Sequence, residues 1–173
     1  SRVIPARLLG FNAQTGGRFE LLLLEENAPN DWWAMMRPGK RARPGTRIVL
    51  RNASGVPTSI AAVVTGSNAE GHRRVLFEGT SEILNDLDNL GEVPLPPYIV
   101  REAPNVKDRE RYQTIFAGPP GSVAAPTAGL HFSAGMLDHL RGLGVQLAFV
   151  TLHVGPGTFA PVKSPSVEEH LMH

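Results

Sequence analysis

The sequence contains no cysteine. That absence excludes a disulfide scaffold, a cysteine-ligated zinc site and a thiol nucleophile, and it fits a reducing compartment. No apolar run reaches the roughly 18 residues that a membrane-spanning helix needs, so a helical integral membrane protein is excluded as well. No repeat of solenoid length is present. Net charge is nearly absent, with 17 Lys and Arg against 16 Asp and Glu, a formal +1 with His neutral. What the 173 residues do have is 42% hydrophobic content, enough for a packed core and too much for a disordered chain. The length allows one ordinary domain or two small ones.

The even charge balance hides a split. Residues 1–74 carry 11 basic and 5 acidic side chains, and residues 75–173 carry 6 and 11. A basic half points to a polyanionic partner. The chain opens on Ser1-Arg2-Val3 without Met, and Ser166-Val167-Glu168-Glu169 has the form of a capping box that should open a helix. The chain stops at His173, under two turns later, so an internal piece of a longer protein is expected.

The first 78 residues read as β structure. Strands are expected at Val3–Leu9, Arg18–Leu24, Asp31–Arg37, Thr46–Leu50, Ile60–Thr65 and Arg73–Glu78. Turn chemistry separates them at Gly16-Gly17, Pro38-Gly39, Pro44-Gly45, Ser54-Gly55 and Glu70-Gly71. Short, regularly punctuated strands suggest a small antiparallel barrel or sandwich, and Pro5 marks an edge or bulge. The period then becomes helical. Helices are expected at Ser81–Leu90, with Gly91 as a C′ stop, at Lys107–Phe116, and at Ser133–Leu143, ended by Gly144. The apolar run Val145–Val154 reads as a strand buried on both faces. Such an order is α/β organisation.

Four stretches can carry chemistry. The segment Arg37-Pro-Gly-Lys40-Arg41-Ala-Arg43-Pro-Gly-Thr-Arg47 places five cations in one hairpin, suited to phosphates, with Trp32 and Trp33 beside it as base-stacking or core residues. The small-residue loop Gly121–Phe132 lets a ligand approach the backbone and offers the Thr127 hydroxyl and the His131 imidazole. It is neither a Walker loop nor a dinucleotide fingerprint. Thr151-Leu-His153-Val-Gly155-Pro-Gly157-Thr158-Phe159 runs from a strand into a Gly-rich loop, where open α/β sheets bind ligands. Last, His170 and His173 share a helix face and with His153 make a conceivable metal set, although the H-E-x-x-H pattern is absent.

Read together, Val3-Ile-Pro-Ala-Arg-Leu8, Leu95-Pro-Pro-Tyr98-Ile99, Asp108–Thr114, Ala125-Pro-Thr-Ala-Gly-Leu-His-Phe132, Thr151-Leu-His-Val-Gly155, Gly157-Thr-Phe159 and His170-Leu-Met-His173 resemble the S-adenosylmethionine:tRNA ribosyltransferase-isomerases of queuosine biosynthesis. The resemblance runs in order along the whole chain. It implies an antiparallel β-barrel domain, residues 1–100, inserted into an α/β catalytic domain, residues 101–173, that is only partly present. The missing partner strands would leave Val145–Val154 uncovered.

The implied reaction moves the ribosyl group of S-adenosylmethionine onto aminomethyl-deazaguanine at the tRNA wobble position. His131 and His153 are then the candidate base and acid. Thr127, Gly129, Phe132 and Thr158 would line the nucleoside site. Arg111, Tyr112 and Gln113 would face the tRNA or its deazaguanine, and Arg37, Lys40, Arg41, Arg43 and Arg47 would meet tRNA phosphates. S-adenosylmethionine is a substrate rather than a cofactor, no metal is expected, and a cytoplasmic monomer follows. The alternatives are a non-catalytic tRNA-binding module and a His-ligated metal-dependent hydrolase.

Overall fold

The computed structural model of the chain describes residues 1–95, 99, 110–152, 154, 155 and 166. Its strands are β1 (Arg2–Val3), β2 (Arg7–Asn12), β3 (Arg18–Ala28), β4 (Asp31–Arg37), β5 (Arg47–Arg51), β6 (Pro57–Ser67), β7 (Arg73–Glu78), β8 (Gly91–Glu92) and β9 (Pro120–Ser122). The helices are α1 (Ile83–Leu90) and α2 (Ala134–Gly142), with 3-10 turns at Gly39–Arg41 and Thr127–His131.

Strands pair in the order β3-β4-β7-β6-β5-β2, and β2 pairs again with β3, so six antiparallel strands close into a barrel. Inward and outward residues alternate along β2, β4, β5, β7 and the first part of β3. Phe19, Leu21 and Leu23 point inward from β3, and Trp32, Ala34 and Met36 from β4, while their neighbours face out. Ile48, Leu50, Ala62, Val64, Val75 and Phe77 complete the interior.

The expected strands form, with two instructive differences. The first run breaks at Ile4-Pro5-Ala6, as Pro5 suggested, and its halves join different sheets: β1 pairs in parallel with β9, outside the barrel. Strand β3 continues four residues past Leu24. Nothing alternates in Glu25-Glu26-Asn27; the strand continues here because Glu25 pairs with Trp33, Glu26 with Trp32 and Ala28 with Asp31, across two irregularities of register.

Helix α1 closes one barrel end. Ile83, Leu87 and Leu90 face the core. The Asn30 side chain holds it there, accepting from the Ile83 amide at 2.7 Å and donating to the Ser81 carbonyl at 3.0 Å. The Ala53 amide donates to the Asn89 carbonyl at 2.9 Å.

Gly91 does follow α1, but with φ −101° it is extended rather than left-handed. Glycine is required for a different reason: a Cβ there would lie 1.9 Å from the Pro5 carbonyl oxygen. Helix α2 does end as expected. The Ser133 hydroxyl caps it, accepting from the Met136 amide at 3.2 Å, and Gly144 follows at φ +81°.

Two expectations fail. Lys107–Arg109 lie outside the described residues, Glu110 and Arg111 are helical, and the chain turns at Tyr112, leaving Ile115 and Phe116 in an exposed turn instead of a helix. The run Val145–Val154 is not a buried strand. Val150 is 84% exposed and Phe149 68%. A strand of that composition needs partners on both faces, and beyond the Val145 amide, which donates to the Leu140 carbonyl of the preceding helix, the described residues supply hydrogen bonds only near its end, from Ser1 to the Leu152 carbonyl and between Val154 and Ser122 and Val123. Among the described residues no helix is long and apolar enough to cross a membrane.

Replacing Gly91 with Ala is expected to destabilise the protein by about 3 kcal/mol, because the colliding atom is backbone. Gly39→Ala, which meets nothing within 4 Å, should stay within about 0.5 kcal/mol. Urea unfolding midpoints compare the two.

Acid should act on the Asp31–Arg74 pair. The Arg74 guanidinium, 2.5 Å from Asp31, holds that carboxyl below its ordinary range. A folded value lower than the unfolded one contributes stability above the unfolded titration range, and the contribution vanishes as pH falls through the folded range. The stability difference between the native protein and Arg74→Gln should therefore be present at neutral pH and disappear in acid. Burial, with Glu82 beside it, pushes the Glu26 carboxyl up, so its effect has the opposite sign. Glu26→Gln should stabilise at neutral pH and change little in acid, by the same denaturation series.

Candidate functional site

The small-residue loop leaves β9 along a buried stem. Ser122 is fully buried, and Val123, Ala124 and Ala125 follow it inward. The Ser122 hydroxyl bonds the Ser1 hydroxyl and accepts from the Val154 amide at 3.1 Å. Pro126 turns the chain outward, and the 3-10 turn Thr127–His131 closes with the Gly129 amide donating to the Pro126 carbonyl at 2.8 Å. Thr127 and His131 are exposed at its tip.

Gly129 sets the seat of this turn. A Cβ there would lie 2.9 Å from Thr114 Cγ2. Only glycine lets the turn rest directly on the segment carrying Thr114 and Phe116. Phe132 then meets Phe116 edge-on, ring centroids 5.8 Å apart, and Phe149 lies 6.3 Å from Phe116. Phe116 and Phe149 were not legible as neighbours of this loop, because three separate segments bring them together.

Tyr112 and Gln113 stand behind the loop. Tyr112 is buried with Val3 and Ala125. Gln113 bonds strand β1 through both ends of its amide, donating to the Val3 carbonyl at 2.7 Å and accepting from the Val3 amide at 3.0 Å. It thereby completes the outer edge of β1 as a further strand would. Arg111 is exposed. His153 and Thr158 lie outside the described residues, as do His170 and His173.

The basic hairpin lies elsewhere, at the barrel end away from α1. Arg37 ends β4, Lys40 and Arg41 sit on a 3-10 turn, and Arg43 follows it, all exposed. Among the described residues none of these four forms an ion pair. Arg47 is different: it lies on the β5 wall, paired with Glu78. Trp32 is buried in the core, and Trp33 is half-buried on the barrel's outer side.

Arg73, which the sequence did not single out, shapes the hairpin. Its guanidinium donates to the Ala42, Gly39 and Gly71 carbonyls at 2.7, 2.9 and 2.6 Å. Ala42 is 1% exposed and stoppers that end of the barrel. No described group of three or more His, Asp and Glu side chains is placed to hold a metal ion.

Gln113→Met is expected to cost about 2 kcal/mol of local stability by removing two hydrogen bonds to β1. Hydrogen exchange should quicken at the Val3 amide and stay unchanged at Leu21 and Val64 in the barrel.

The model of a family described as "Queuosine biosynthesis protein" matches residues 1–173. A protein of Caldanaerobacter subterraneus named S-adenosylmethionine:tRNA ribosyltransferase-isomerase is 46% identical over 174 residues, covering 100% of this chain and 48% of its own length. A Thermus thermophilus protein of the same name is 49% identical over 176 residues, again with 100% and 48% coverage. The chain thus spans about half the length of the curated relatives it matches. Among solved structures, the Thermotoga maritima S-adenosylmethionine tRNA ribosyltransferase overlaps 85% of this chain and 36% of its own, at 24% identity and a TM-score of 0.42.

Proposed function

Since the chain belongs to the queuosine biosynthesis protein family, we propose that it forms part of a transferase that moves the ribosyl group of S-adenosylmethionine onto aminomethyl-deazaguanine in the tRNA wobble position and isomerises it. The products are epoxyqueuosine-tRNA, adenine and methionine. The observation that carries this reading is the Thr127–His131 tip, a hydroxyl and an imidazole offered to solvent on a buried stem, in a chain 46–49% identical over its full length to relatives named for that activity.

The chemistry asks for groups of these kinds. The sulfonium acidifies the carbon beside it, so a weak base suffices to take its proton, and His is suited to that near neutral pH. Adenine leaves more readily when protonated, which calls for an acid. The acceptor amine attacks only when neutral. His131 and His153 are assigned the base and acid roles. Thr127, Gly129, Phe132 and Thr158 are assigned to the nucleoside. Arg111 is assigned to the acceptor, with Tyr112 and Gln113 holding the wall behind it against β1. The tRNA and S-adenosylmethionine are both substrates, and the protein acts as a cytoplasmic monomer with its barrel domain ending near residue 100.

The test is a chimera in which this chain replaces the matching half of the Thermus thermophilus relative. Supplied with S-adenosylmethionine and tRNA carrying the precursor base, it should release adenine and methionine in equal amounts by mass spectrometry. His131→Ala should slow release by roughly a hundredfold. A folded, tRNA-binding chimera that releases no adenine would overturn the function. Turnover within tenfold of the unmutated chimera in both His131→Ala and His153→Ala would overturn the assigned roles.

A further inference from the structure

The barrel has two unlike ends. At one, α1 is tied to the β3–β4 turn through Asn30 and to the β5–β6 turn through Ala53, and the chain passes through Pro5 and Gly91 toward the Thr127–His131 loop. At the other, three connections meet: 13–17, 38–46 and 68–72. Antiparallel order places all three there. Strand β2 runs the length between the ends, and its six residues at about 3.3 Å each separate them by roughly 20 Å.

Charge is distributed unequally between these ends. Five of the ten Lys and Arg side chains from Arg7 to Arg74 have partners. Arg7 pairs with Glu20 and Glu92, Arg47 with Glu78, Arg74 with Asp31, and Arg51 lies over the Phe11 ring at 5.1 Å. Arg73 is committed to backbone carbonyls. The unpaired ones gather at the end away from α1: Arg37, Lys40, Arg41, Arg43 and also Arg18. Arg18 starts β3, two residues before Glu20, whose register partner is Arg37, so it stands on the same outer face diagonal to the hairpin. The carboxylate on the nearby 68–72 turn, Glu70, faces His72 at 3.0 Å.

We propose that this end of the barrel, Arg18 with Arg37, Lys40, Arg41 and Arg43, is a second RNA contact that grips the phosphates of a duplex stem, remote from the loop that handles the reacting base. The proposal rests on the tRNA reading above and adds where the stem lies. Four of the five cations are Arg, whose fork matches phosphate oxygens. The barrel alone, roughly 20 Å long, spans a little over half a turn of duplex, so a contact at its far end suits a stem and not a free nucleotide. Arg73 is the positioning residue. By holding the Gly39 and Ala42 carbonyls it fixes the turn that displays Lys40 and Arg41.

Binding of fluorescein-labelled, unmodified RNA hairpins to the chain, read by anisotropy across a potassium chloride series without S-adenosylmethionine, tests this. One hairpin has a long stem and the other a stem of two base pairs. The triple variant Arg18→Gln, Lys40→Gln, Arg41→Gln should bind the long hairpin at least tenfold more weakly, with the salt slope shallower by about two to three. Its affinity for the short hairpin should change less than threefold. Arg74→Gln, whose charge is already paired, should stay within twofold. Arg73→Lys keeps the charge but not the fork, so affinity should fall with the slope unchanged.

A triple variant that binds the long hairpin within twofold at an unchanged slope overturns the proposal. So does equal weakening toward both hairpins, or binding to phosphatidylserine vesicles with none to RNA. Unchanged affinity in Arg73→Lys overturns the positioning role. Circular dichroism confirms folding, and Arg37→Gln, Arg41→Gln, Arg43→Gln serves as a second variant. Because no turnover is read, salt-dependent stem binding by a chain whose chimera releases no adenine overturns the proposed function alone. An active chimera whose triple variant keeps full affinity overturns this proposal alone.

Discussion

Strand β3 is hydrogen-bonded on both of its sides, to β2 and to β4, and that double pairing is what the architecture depends on. It removes both free edges from a six-stranded sheet and creates an inside. Once the sheet is closed, the alternate residues of every strand must fill one small volume. This is why Ala34 and Ala62 share the interior with Trp32 and Phe77. It is also why Gly10 admits no side chain, since a Cβ there would lie 2.6 Å from the Val49 carbonyl oxygen. Closure also defines two ends. Helix α1 seals one, and Ala42, drawn in beneath its loop, seals the other.

Sealing the ends separates their tasks. The α1 end is the route to the rest of the chain, through contacts too close for side chains, with Gly91 against the Pro5 carbonyl as the tightest. Beyond it, strand β1 is held between β9 and the Gln113 side chain, an arrangement that buries Val3 with Tyr112 and Ala125. The stem of the Thr127–His131 loop is therefore rigid where it leaves β9 and open at its tip, an arrangement suited to presenting reactive groups. The other end has no structural neighbour among the described residues, and the unpaired cations collect there.

Much of this was legible locally. Alternation in Arg18–Leu24 and Asp31–Arg37 and the Gly and Pro turns between runs placed the barrel strands within a few residues. Ser133 and Gly144 bounded α2 correctly, since a cap and a left-handed stop depend on a single turn of chain. The loop Gly121–Phe132 stood out by composition alone. Less legible were Glu25–Asn27, which lack strand character and acquire it from Trp32 and Trp33, and Lys107–Phe116, whose helical spacing gives way at Tyr112 as Gln113 turns to β1.

The amino-acid sequence by itself determined the elements and the family, because alternation, turn chemistry, caps and motifs are properties of residues close together in the chain. It placed five cations in one hairpin but did not separate Arg47 from the others, since Glu78, its partner, is 31 residues away. It marked Gly91 as special and gave a local reason, when the carbonyl that forbids a side chain belongs to Pro5. Its local pattern read Val145–Val154 as buried, and only the resemblance implied that the run would lie uncovered, because burial depends on strands that no described residue supplies. Only the tertiary structure decided these points, because pairing, close approach and burial are relations between distant segments, created when the sheet closes.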